Sequence, residues 1–300
     1  MSGRRLVLTL AAAAALVTVL LGKGLVGGEP APQWSASFER EGLGEWSWWR
    51  RPELGTGEIA LARVEREGIP ARDGDRVVRF SVSPAQRAEG RRHAKLYREW
   101  AVRPRQIGRR DDAGRALERL PGEGKDASGT YRASFFIPRG VRWDPRRWSN
   151  IMQFKLVWSE GGALASEPQW WVDLMGAEAW ADPPRRPDGS PSRPGDPVLA
   201  ISNWTERRAD GGRITWQPRL IAPPVGRWFE ISARVEQGRG VAWALDGETW
   251  YEGDGGDWPA GLVATPTHAR DDFSGWIFGI GLYGGPGVLY ADDASFTPPG

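Results

Sequence analysis

The chain is predicted to fold as an all-β jelly-roll sandwich. Three observations carry that expectation. Tryptophan is abundant, at 18 of 300 residues. Apolar and polar residues alternate in short runs closed by Gly, Pro and Asp. Beyond the first thirty residues, no helical period runs longer than about three turns. Aromatic and β-branched side chains suit a pleated, half-buried surface, and turn residues close each run before a helix can form. Each indole buries roughly 150–250 Å² between two sheets, so most of the tryptophans are expected in the core. A flat indole also stacks on the apolar face of a sugar ring, which is a weaker pointer to carbohydrate.

The elements follow in order. Arg4 and Arg5 precede an uncharged apolar run of 16 residues, Leu6 to Leu21, and a breaker-rich stretch to Pro32. This reads as a secretory signal or an uncleaved membrane anchor, leaving one domain over residues 33–300 that is secreted or tethered outside the cell. An opening strand and a Trp-rich turn occupy Trp34 to Arg51. Ile59–Glu65 and Arg76–Val82 alternate as strands; in the second, Val78, Phe80 and Val82 oppose Val77, Arg79 and Ser81. The stretch 91–100 puts Arg91, His93, Lys95, Tyr97 and Glu99 on one face and Ala94, Leu96, Arg98 and Trp100 on the other. A short helix is expected near Ala113 to Leu120. Strands follow at 130–138, 149–158 and 168–175. In these, Gln153 and Lys155 oppose Met152 and Phe154, and Trp171 and Asp173 oppose Trp170, Val172 and Leu174. The prolines of Asp182 to Pro197 bar both sheet and helix. Strands resume at 198–204, 213–220, 228–237 and 240–246, where Asp246-Gly247 marks a hairpin, and two more close the chain.

Lys and Arg total 40 against 38 Asp and Glu, with a pI near 9.1. No dense basic run carries interleaved aromatics, so nucleic acid is not the expected partner. A mildly basic surface favours an acidic polymer instead, through a field that salt weakens. A monomer is expected. Absence of cysteine is compatible with export, because a core of this size needs no disulfide staples. There is no HExxH, GxSxG, P-loop or zinc spacing.

The opening "FE…W", the strand "RFSV", the polar strand "HAKLYR", "YRASFFIP" leading to "WSNIMQFK", then "VGRWFEISARV", "GVAWALDGE" and "GIGLYGG…LYADDASF" occur in an order that resembles the concanavalin A-like jelly rolls. Within them the order resembles the polysaccharide lyases of the heparin lyase I type and the alginate lyases. The resemblance runs from about Phe38 to Phe296. It implies binding of a uronate-containing polysaccharide and its cleavage by β-elimination. Such lyases supply a Gln-x-His pair on one strand, matched by Gln153 with Lys155 in place of the His. Their K-x-G-x-Y pattern falls on Gly279, Gly281 and Tyr283, with Gly279 in place of the Lys.

The chemistry asks for a cation or amide to neutralise the uronate carboxylate, a base for the C5 proton and an acid for the O4 leaving group. His93, Lys155 and Tyr283 are the candidate catalytic residues, with either His93 or a lysine of lowered pKa as the base. Arg91, Lys95, Tyr97, Gln153, Trp171 and Asp173 are the candidate substrate contacts, Trp171 as a sugar platform. His268 is expected only as an exposed loop residue. No cofactor is required. Asp292 and Asp293 offer a structural Ca²⁺ site, with an ion-free hairpin-end pair the preferred reading. A glycoside hydrolase fits less well, because no E-x-D-x-E places paired acids on a strand. A non-catalytic glycan-binding module stays open and would need neither the missing His nor the missing Lys.

Overall fold

The computed structural model describes residues 31–40, 42–48, 57–88, 93–101, 110–118, 127–160, 163–207, 213–216, 219–236, 240–253 and 275–299. The N-terminal apolar run, Arg91 and His268 lie outside them. Residues 32–299 group as one unit, built as two antiparallel sheets.

The first sheet runs β13 (Glu248–Gly253), β12 (Gly240–Leu245), β11 (Trp228–Glu236), β5 (Gly129–Phe136), β15 (Gly287–Thr297), β3 (Arg76–Val82), β2 (Glu58–Arg63), and β1 (Trp34–Ala36) also pairs with β15. The second runs β10 (Leu220–Ile221), β8 (Pro197–Arg207), β7 (Ala163–Gly176), β6 (Ser149–Glu160), β14 (Gly275–Gly284), β4 (His93–Ala101), with β9 (Arg213–Trp216) on β8. The chain changes sheet at β3–β4–β5, at β5–β6, after β10 and at β13–β14–β15. This repeated crossing makes the sandwich a jelly roll.

Alternation decides what lies between the layers. Val78, Phe80 and Val82 of β3, Met152 and Phe154 of β6, Trp170, Val172 and Leu174 of β7 and Trp276, Phe278 and Ile280 of β14 all enter one core. Phe154 stacks on Trp276 at 5.5 Å between centroids. The Trp276 indole N–H donates to Tyr131 Oη at 2.9 Å, and that hydroxyl donates to the Ala127 carbonyl at 2.8 Å. Tyr131 thus satisfies the buried Trp276, whereas the indole N–H groups of Trp46 and Trp243 in the same core have no partner among the described residues. Arg98 also points inward. Its guanidinium lies 5.6 Å from the Trp34 ring and 5.5 Å from that of Trp100, and reaches Glu118 at 2.5 Å. Asp246 and Gly247, at φ 50° and 80°, make the expected tight hairpin between β12 and β13.

The helix expected near Ala113–Leu120 is not formed over its described residues. Asp111 Oδ1 accepts the N–H groups of Ala113 and Arg115 at 3.0 and 2.8 Å, and Arg110 bridges to Ala116. A short side-chain acceptor has taken donors that a helix would use, and the segment turns as a hairpin.

Candidate functional site

The face of the second sheet turned away from the core carries the polar residues. Antiparallel register places Tyr97 of β4 beside Gly279 of β14, Gly279 beside Gln153 of β6, and Gln153 beside Trp171 of β7. One step along, His93 faces Tyr283, Tyr283 faces Asn150, and Asn150 faces Asp173. Residues from distant parts of the chain therefore share one surface: side chains two apart on a strand point the same way, and the register shift between Asn150 and Met152 lets Asn150 join Gln153.

Tyr97 Oη is the centre of the cluster. It lies 2.8 Å from His93 Nε2, 3.0 Å from Gln153 Nε2 and 3.5 Å from Lys155 Nζ. The Gln153 amide nitrogen and the Lys155 ammonium are donors only. The tyrosine oxygen therefore accepts from both and directs its own O–H at His93, which places the imidazole proton on Nδ1. Lys155 Nζ also sits 4.9 Å from the Tyr97 ring centroid, within cation–π reach. Lys155 is half-buried, whereas Tyr97 is 3% exposed and His93 is equally closed in.

Lys95 is fully buried and donates to Asn150 Oδ1. Burial first, and the Lys155 charge second, hold its amine well below the usual lysine range, against a smaller opposing pull from Asp173. Trp171 Nε1 and Ser202 Oγ donate to Asp173 Oδ2 at 2.7 and 2.9 Å. Asp173 thus fixes the Trp171 indole. That indole is 5% exposed and offers no open sugar platform.

The exposed ring is one that sequence patterning passed over. Trp148, just before β6, is 45% exposed. A file of rings leads inward from it: Trp148 to Tyr283 at 5.5 Å, Tyr283 to His93 at 5.7 Å, His93 to Tyr97 at 5.5 Å. The signal was a Trp at a strand entrance, where alternation does not yet assign a face. Tyr283 enters this file through its ring, and its hydroxyl makes no hydrogen bond among the described residues.

Gly279 explains why a lysine is missing from the K-x-G-x-Y match. A Cβ there would lie 2.5 Å from Tyr97 Cδ1 and 2.6 Å from Cε1. The tyrosine ring occupies the space a side chain would need, and a lysine arrives instead on the neighbouring strand as Lys155. Gly279→Ala is expected to destabilise the fold by about 1–3 kcal/mol and to push the ring off His93. A thermal melt checks this; an unchanged melting temperature would mean that the ring yields freely.

On the other sheet, Asp292 is fully buried, and its Oδ1 accepts the Asp293 N–H at 2.9 Å while Oδ2 has no hydrogen-bond partner among the described residues. Burial first, then the Asp293 carboxylate, push its pKa up to about 8. Among the described residues, no three His, Cys, Asp or Glu side chains converge on a point that would hold a metal ion.

No family model matches the chain. No curated protein matches it in sequence. Among solved structures it is similar to a carbohydrate esterase from a Shiga toxin-encoding bacteriophage, with 10% identity and a TM-score of 0.45 over 90% of this chain and 100% of that one. An alginate lyase from Pseudomonas aeruginosa gives 16% identity and 0.42 over 83% and 90%. Domain 4 of a GH43 extracellular arabinanase from Geobacillus stearothermophilus gives 12% and 0.39 over 90% and 96%. At these values none of the three says what this chain acts on.

Proposed function

We infer that the chain binds an acidic, uronate-containing polysaccharide at the end of the second sheet and cleaves it by β-elimination. The observation that carries this reading is the convergence of His93, Gln153 and Lys155 on one tyrosine oxygen, at the inner end of a ring file that starts on the surface. The resemblance to heparin lyase I type and alginate lyases supports it through Gln153 and the position of Lys155.

The roles follow from donor chemistry. A uronate carboxylate entering past Trp148 meets the Lys155 ammonium and the Gln153 amide, which offset its charge and make the C5 proton removable. Tyr97, having passed its proton to His93 Nε2, takes the C5 proton. The C4–O4 bond breaks as the C4–C5 double bond forms, and the proton now on Tyr97 goes to O4. One oxygen thus serves as base and acid in turn, which suits two proton sites on the same side of the ring. Lys95, buried behind the cluster, holds Asn150 in place through its hydrogen bond to Oδ1. In this reading the proton mover on the sheet is Tyr97, and Tyr283 guides the sugar with its ring.

The test is incubation with polymannuronate, polyguluronate and polygalacturonate, followed by the ultraviolet absorbance of the unsaturated product. No product from any of them would overturn elimination. Trp148→Ala is expected to weaken polymer retention in an affinity gel by about three- to tenfold, the worth of one aromatic stacking contact, with the melting temperature unchanged.

A second reading is a non-catalytic glycan-binding module. The near-complete burial of Tyr97 favours it, since chemistry there requires the polymer to reach a closed oxygen. Gel retention without product would select it.

A further inference from the structure

At the same end of the sandwich, a second feature lies across the sheet from the tyrosine cluster. A basin of about 730 Å³ is lined by the β5–β6 connection, the proline-rich β7–β8 loop and the β10–β11 turn. Its volume is in the range of small-molecule sites, about 300–1,000 Å³. Five arginines line it (Arg139, Arg142, Arg186, Arg193 and Arg227) against two aspartates, Asp188 and Asp196.

The acids are already engaged. Asp196 Oδ2 takes Arg186 at 2.6 Å and the Arg193 N–H at 2.6 Å. Asp188 Oδ1 takes both the N–H and the hydroxyl of Ser190, at 2.9 and 2.6 Å. Arg227 pairs outside the basin with Asp246 at 3.2 Å. Among the described residues, no carboxylate lies within salt-bridge distance of the Arg139, Arg142 or Arg193 guanidinium groups. Uncompensated charge gathered in one concavity is what an anion would neutralise.

Two of these arginines are seated rather than loose. Gly226 and Gly195 have φ of 77° and 81°. A Cβ on Gly226 would lie 2.4 Å from Arg139 Nε, and one on Gly195 would lie 2.9 Å from Arg142 Nε. Each guanidinium stem thus lies against bare backbone. The walls are joined: Trp143 N–H donates to the Gly195 carbonyl at 3.1 Å, Gly226 N–H to Ile137 at 2.9 Å and Ala177 N–H to Asp196 at 2.9 Å. Prolines, among them Pro194, Pro223 and Pro224, supply rigid apolar surface between the charges. Guanidinium forks pair bidentately with carboxylate or sulfate oxygens.

We propose that this basin is a separate binding site for an acidic oligosaccharide, its arginines gripping the carboxylate or sulfate groups and its prolines meeting the sugar faces. The anion site stands on the basin itself, while the sugar identity of the ligand rests on the polysaccharide reading above. Sheet order puts β8 three strands from β14, about 14 Å at 4.7–4.9 Å per strand. The two sites are thus close enough for one linear chain to span both.

The test is calorimetric titration of the full chain with a mannuronate trisaccharide at low salt, and separately with inorganic sulfate and phosphate. Arg139→Gln/Arg142→Gln is expected to weaken trisaccharide binding at least about tenfold, and Arg193→Gln by less. Both changes are at exposed side chains, and melting curves confirm folding. Lys155→Met is expected to leave the basin's binding in place, whether or not the protein forms product. Equal binding by wild type and both arginine variants would overturn the proposal. So would loss of all binding in Lys155→Met alone. Inorganic phosphate binding more tightly than the trisaccharide and displacing it would replace the sugar assignment with a free-phosphate site.

Discussion

Tyr97→Phe is expected to lower the rate of unsaturated-product formation by about 10²–10⁴, the usual worth of a positioned proton-transfer group. It should leave the melting temperature within a degree or two. The ring that packs over Gly279 is kept, and only the oxygen shared by His93, Gln153 and Lys155 is lost. Tyr283→Phe removes a hydroxyl without a partner among the described residues and should change the rate less than about threefold, because its ring contacts with His93 and Trp148 survive. The contrast between the two tyrosines is the decisive readout. Equal losses would return the proton-moving role to Tyr283, and a silent Tyr97→Phe would remove the tyrosine cluster from the chemistry. A pH profile adds a second check: in His93→Gln the rate should become dependent on added hydroxide, because the acceptor that strips Tyr97 is gone.

The division of labour between the faces was legible in the sequence, since a period of two assigns every other residue. Val78, Phe80 and Val82 face the core as alternation predicts. So do Met152 and Phe154 opposite Gln153 and Lys155, and Trp170 opposite Trp171. Strand order is a non-local property that alternation does not encode. Nothing in "GIGLYGG" says that β14 lies between β4 and β6, so Gly279 looked like a lost lysine, when its neighbour's ring fills the place. Burial was equally invisible, and Lys95 read as a candidate substrate contact although it is 0% exposed. The proline-rich stretch read only as a segment barred from sheet and helix. Its arginines gain meaning only beside Arg139, Arg142 and Arg227, which arrive from two other connections. In the turn at Asp111, local capping chemistry overrode a weak helical propensity.

Asp292→Asn should make the protein more stable in alkali and leave it unchanged in acid. Asp292 has a folded-state pKa of about 8, above the value near 3.9 of an unfolded chain. Below about pH 4 both states hold the proton, so the stability this proton lends is fully present. As pH rises, the unfolded chain ionises first, and the contribution falls steadily until the folded carboxyl ionises near pH 8. Above that, a buried carboxylate stands beside Asp293, whose own pKa is raised by burial and by Asp73. The full swing is at most about 6 kcal/mol at ~1.4 kcal/mol per unit, and local relaxation around the charge should leave about 3 kcal/mol. Asparagine keeps the acceptor for the Asp293 N–H and removes the charge. Chemical denaturation of both proteins at pH 5, 7 and 9 checks this: the variant's advantage should be smallest at the first and largest at the last. Parallel curves at every pH would mean that Asp292 is ionised without penalty in the fold. Calcium gives the same carboxylate a different way to stay charged. If millimolar Ca²⁺ at pH 8 stabilises the wild type and not Asp292→Asn, the ion is what the unpartnered Oδ2 awaits, completed by backbone carbonyls; if it stabilises neither, the proton alone settles this acid pair.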